Sequence, residues 1–110
     1  MELRSLPEIV VNWSRMLATR TAGECAGASV RAHKTNDVQL RIVDYDPGYL
    51  ADHWCSKGHI LYVISGSLTI EHGDDKESYE LTSGMSWQTA DEGSPHRVRT
   101  TCGATVFIVD

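Results

Sequence analysis

From Ser29 onward the chain is cut into runs of five to eight residues rich in Val, Ile, Thr and Tyr, each closed by a turn signal. The runs are Ser29 to Lys34, Val38 to Tyr45, Gly58 to Ile64, Ser67 to His72, Ser78 to Thr82, Met85 to Thr89, His96 to Thr101 and Ala104 to Asp110. Between them stand "TND", "DPG", "SG", "HGDDK", "SG", "DEGSP" and "CG", which supply the positive or fixed φ that tight turns need. Short strands at this spacing predict an all-β sandwich or barrel and leave little room for helix. With 110 residues there is one core to build, because two halves would each be too small to exclude water.

Residues 1–28 are less regular. "LPEIVVNWSRMLA" reads as a short strand followed by a turn of helix capped by Asn12, and Thr21 to Ser29 reads as a loop. The expected organisation is an N-terminal extension over 1–28 packed on a barrel over 29–110. The longest apolar runs, Ile60 to Ile64 and Thr105 to Val109, are far below the roughly 20 residues of a membrane-spanning helix. The N-terminus lacks the basic and apolar blocks of a secretion signal, so a cytoplasmic protein is expected. A net charge of -5 with ten scattered Lys and Arg offers no stripe for phosphates, and neither nucleic acid nor membrane is an expected partner.

Three cysteines, Cys25, Cys55 and Cys102, cannot all pair within one chain, which argues against a disulfide scaffold. Cys55 stands instead in "DHWCSKGH", between His53 and His59. All offsets in this set are even, and even offsets on extended chain share a face, so three donors are expected to converge. His96, after the "DEGSP" loop, offers a fourth donor. Imidazole and thiolate are borderline-to-soft ligands suited to zinc or iron rather than magnesium or calcium. The spacing matches no zinc-finger pattern, and packing without any metal is the alternative for the same residues.

The two glycine-bounded segments resemble the paired motifs of the cupin superfamily. Gly48, four residues, His53-Trp54-Cys55, three residues, His59, six residues and Gly66 follow the first motif. Gly84, six residues, Asp91-Glu92-Gly93, two residues, His96, three residues and Thr100 follow the second. More narrowly, "GYLADHWCSKGH" is similar to the small DHCW-motif cupin fold proteins, from about Asn12 to the end. The resemblance implies an all-β, single-domain cupin, a small double-stranded β-helix or jelly-roll barrel, with His53, Cys55, His59 and His96 in the four metal-ligand places. Cysteine stands where the superfamily has its second histidine and histidine where it has glutamate. That set favours one divalent ion, zinc or iron(II), with nickel or manganese behind them. If all four donors close a tetrahedron around zinc, no position remains for substrate, and the site is structural.

Of the remaining residues, Arg41, Tyr45, Trp87, Val98 and Thr100 are expected near the barrel mouth. There an aromatic wall and a guanidinium would suit an oxygen-rich or carboxylate ligand; Arg41 covering a sheet face in solvent is the alternative. Asp52 is read either as a hydrogen-bond partner of a ligand imidazole or as a turn cap. Trp54 is expected to turn outward, Arg97 and Arg99 to be solvated, and His33 and His72 to lie on the surface. The expected function is binding of, or action on, a small polar metabolite at one transition-metal ion. A non-catalytic metal-binding or redox-sensing module is the alternative. A homodimer is expected, since open sheet edges need cover.

Overall fold

The computed structural model describes residues 2–110. Eight strands follow a 3-10 turn at Trp13–Arg15. They are β1 (Thr19–Ala22), β2 (Gly27–Thr35), β3 (Val38–Tyr45), β4 (His59–His72), β5 (Tyr79–Thr82), β6 (Ser86–Thr89), β7 (His96–Arg99) and β8 (Ala104–Val109). All pairings are antiparallel, in the order β1-β2-β3-β8-β4-β5, with β6 and β7 also on β4. No helix among the described residues is long and apolar enough to cross a membrane.

β4 organises the molecule. Its first half pairs with β8 and β6, and its second half with β5 and β7, so one strand belongs to both walls. The reading of Ser65-Gly66 as a break between two strands is corrected here. The pairing with β8 steps from Val63 opposite Val106 to Ser65 opposite Thr105, which places one extra residue on β4. A one-residue bulge reverses which alternate side chains face inward. Leu61 and Val63 are buried before it, and Leu68 and Ile70 after it. Gly66 makes the bend possible: its φ is +78°, and a Cβ would collide with the Gly103 carbonyl oxygen.

The inward rows run across the larger wall. Val43, Val106 and Val63 lie opposite one another and form the centre of the core with Ile70, Leu68 and Leu81. One row nearer the open end are Arg41, Ile108, Leu61 and Trp87. Ten buried residues make up this cluster, and full burial of a Val or Leu side chain stabilises by about 1.5–3 kcal/mol.

The N-terminal part differs from expectation. Thr19–Ala22 and Gly27–Thr35 form a hairpin, so the sheet begins within the stretch read as extension and loop. Asn12 makes no side-chain cap; its Oδ1 accepts from the Ser14 hydroxyl instead. Trp13 packs edge-on against Phe107 on the outer face of the larger wall, their centroids 6.3 Å apart.

Candidate metal centre

Between β3 and β4 the chain runs along the free edge of β7. Ala51 donates its N–H to the Val98 carbonyl, and Cys55 exchanges two backbone hydrogen bonds of 2.8 Å with His96. Residues directly opposite in an antiparallel pair point to the same face. That single bridge therefore sets the Cys55 thiol beside the His96 ring. His59, the first residue of β4, has the inward parity of Leu61 and Val63 and joins them from the other wall. One ligand atom from each of Cys55, His59 and His96 lies within 4.8 Å of the others.

Each ring is oriented by a partner on its far side. His59 Nδ1 lies 2.9 Å from Asp110 Oδ2, and a carboxylate oxygen only accepts, so Nδ1 carries the proton and Nε2 presents a lone pair. Asp110 is 1% exposed at its side chain and also accepts from Arg41 at 2.8 Å. His96 Nδ1 faces the Ser94 carbonyl at 3.2 Å, which leaves its Nε2 buried and without a partner. Burial pushes both imidazoles below the ordinary histidine value, outweighing the Asp110 carboxylate at His59 and the Ser94 carbonyl at His96. Both rings are thus neutral at pH 7, the state a metal requires.

These residues fit a transition-metal ion. Bond lengths of 2.3 Å to sulfur and 2.0–2.1 Å to nitrogen put the S···N edge of a tetrahedron at about 3.5 Å. Cys55 Sγ and His59 Nε2 are 3.7 Å apart. Sγ also accepts the Lys57 N–H at 3.4 Å. Gly58 allows the approach by its lack of a side chain. A Cβ there would come within 2.7 Å of the Asp91 nitrogen, and the Gly58 N–H donates to Asp91 Oδ1 at 2.8 Å.

His53 stands outside this group. Its side chain is 75% exposed at the cavity rim, with Nδ1 2.7 Å from Asp52 Oδ1. The alternation that would align 53, 55 and 59 needs a continuous strand, whereas Asp52 and His53 form a bend and only Cys55 is bridged. Asp52 does contact an imidazole, that of His53, whose hydrogen bond holds the carboxyl below the usual carboxylate range.

A cavity of about 170 Å³ opens beside the donors. Arg41, Tyr45, Trp87 and Val98 line it; Thr100 does not. The Thr100 hydroxyl donates to the Ser67 carbonyl at 2.6 Å and accepts from the Gly103 N–H at 3.0 Å, tying the closed end. Burial drives the Tyr45 phenol far above its ordinary value and raises Tyr49, whose ring packs tilted against it with centroids 4.7 Å apart. A larger groove of about 670 Å³, lined by Lys34, Lys57, Gln88 and Asp91, also touches His59 and Asp110.

Sequence reasoning missed Asp110, although the inward alternation Ala104, Val106, Ile108, Asp110 was there to be followed. Trp54 turns outward as expected, with the Arg97 guanidinium 4.3 Å from its ring centroid. Arg97 and Arg99 are not simply solvated: both lie near Glu71, at 3.7 and 3.1 Å. His72 is half-buried, opposite His96 and edge-on to Tyr79, because it shares the inward parity of Leu68 and Ile70 on β4.

No family model matches the chain, and no curated protein matches it. Among solved structures it is similar to a predicted oxalate decarboxylase from Thermotoga maritima, at 13% identity over 92% of this chain and 96% of that one, with a TM-score of 0.76. It is similar to an Fe(II)-HppE at 13% identity, over 94% of this chain and 60% of that one, with a TM-score of 0.75. A cupin-2 domain containing protein from Shewanella frigidimarina matches at 20% identity, over 74% of this chain and 78% of that one, with a TM-score of 0.59.

Proposed function

The chain has the single-domain cupin fold, and from that premise we propose that it holds one divalent transition-metal ion through Cys55, His59 and His96 and takes a small polar metabolite beside it. The observation that carries this reading is the convergence of three donor atoms within 4.8 Å, one of them a buried His96 nitrogen with no other partner. An unsatisfied buried polar atom costs about 1–3 kcal/mol, and a metal bond removes that cost. One thiolate and two imidazoles favour zinc or iron(II) over nickel or manganese. The Fe(II) named in one neighbour with this fold supports iron.

When bound, the ion supplies Lewis-acid chemistry or a seat for oxygen or enolate chemistry. The chain supplies orientation. Asp110 fixes the His59 tautomer, the Ser94 carbonyl fixes that of His96, and Leu61, Ile108, Val98 and Trp87 exclude water from the inner side. With His53 at the rim, three protein donors leave a position for an exogenous molecule, which a closed four-donor site would not. That favours a binding or reactive centre over a purely structural staple.

Two further parts of the reading concern setting. Free thiols at Cys25, Cys55 and Cys102 support a reducing, cytoplasmic compartment. The half-exposed outer row Ile60, Tyr62 and Ile64 of β4 supports pairing into a homodimer.

Metal analysis of protein purified without an affinity tag tests the site. About one equivalent of a transition metal is expected in the unaltered protein and in His33→Ala. Cys55→Ser is expected to lose most of it on dialysis against a mild chelator. Unaltered protein holding under roughly a tenth of an equivalent after metal-supplemented growth would refute the reading.

A further inference from the structure

We infer that the cavity takes a small monoanionic carboxylate, held at its charged end by the Arg41 guanidinium next to the ion. This ligand class depends on the Cys55, His59 and His96 reading and adds the charge, size and anchor of what binds there.

The charges of the loaded site do not cancel. A divalent ion and the Arg41 guanidinium stand against the Asp110 carboxylate and the Cys55 thiolate, which metal coordination keeps deprotonated. One positive charge is left over. Arg97, which also lines the cavity, is already faced by Glu71 at 3.7 Å and Glu24 at 3.9 Å. Asp52 sits at the mouth, 59% exposed, where water screens it. An unbalanced charge in a half-enclosed site is costly, and a monoanion removes the imbalance. A dianion would reverse it.

Arg41 is built to receive that anion. Its position in the row with Ile108, Leu61 and Trp87 sets it on the inner face, so the solvent-facing alternative for this residue does not hold. The guanidinium donates one N–H to Asp110 Oδ2, which fixes it in place. Its side chain stays partly exposed and lines the cavity. A guanidinium has five donors in a fork matched to carboxylate geometry, and Asp110 engages one of them, which leaves donors for a ligand carboxylate.

Size and wall chemistry narrow the class. A volume of about 170 Å³ corresponds to roughly six water-sized groups at about 30 Å³ each. Leu61, Ile108, Val98 and Trp87 offer the rest of the molecule apolar contact. Tyr45 and Tyr49 add two phenols to the same wall. The ligand is therefore a short-chain monocarboxylate, such as a two- or three-carbon acid with one further oxygen at most.

The test uses full-length protein loaded with cobalt(II), whose visible absorption bands report on its surroundings. Propionate and lactate are titrated in, alongside their neutral isosteres propionamide and lactamide and the oversized anion 1-naphthoate. Saturable band changes are expected with the two small acids and not with the amides or naphthoate. Arg41→Gln should weaken the acids by about ten-fold or more while cobalt stoichiometry stays at one, and Arg41→Lys should lose less. Amides acting as strongly as acids would overturn the inference and leave the metal reading intact, as would small acids without effect on fully loaded protein. Failure to load cobalt at all would sink the metal reading first. If Arg41→Gln does not fold, the acid-against-amide comparison on unaltered protein decides alone.

Discussion

His59 and His53 are six residues apart in the chain and live under different physical rules. His59 opens β4, is held from behind by Asp110, and has a side chain 13% exposed. His53 lies in a bend between two backbone tethers, at Ala51 and Cys55, with its ring in solvent. The same residue type thus becomes a fixed, inward-facing imidazole where a strand ladder and a buried carboxylate hold it, and a rim residue where neither does. Sequence spacing carries positional information only along chain that is hydrogen-bonded into a sheet.

The contrast is broken most severely at its rigid end. Asp110→Asn replaces the acceptor that sets the His59 tautomer, and metal affinity is expected to fall about 10–100-fold by competition with a chromophoric chelator. Next is Gly58→Ala, which drives a Cβ into the backbone of residues 89–91 and is expected to cost about 1–3 kcal/mol in chemical denaturation.

Acidity sharpens the comparison through the metal-free protein. Burial lowers His59 and His96 in the folded state, so below the unfolded value of about 6.5 the unfolded chain binds more protons than the folded one. Stability should be full above that pH and fall as the pH drops toward the lowered folded values. Denaturation series at several pH values would follow it, and the slope should shrink in His96→Gln but persist in His53→Ala. The smallest effect is expected for His53→Ala itself: a change in metal affinity of about three-fold or less, and stability within about 0.5 kcal/mol.

Much of the barrel was legible because period-two patterning and turn residues are local. Val38 to Tyr45 was read with the bounds it has in β3, and the turns at Asn36, Gly84 and Gly103 fall where positive φ occurs. Ser65-Gly66 was misread because a bulge and a chain break use the same residues; only the partner strand tells them apart. In the site, spacing and motif resemblance named Cys55, His59 and His96. Asp110 was lost because its role depends on a neighbour 51 residues away. His53 was placed by a parity that its bend does not obey.

X-ray absorption of the metal-loaded protein, at the edge of the bound ion, tests the central claim most directly. The account predicts one sulfur at about 2.3 Å and two imidazole nitrogens at about 2.0–2.1 Å, with the remaining scatterers light atoms from outside the chain. A first shell without sulfur, or with a third imidazole that vanishes in His53→Ala, would contradict it.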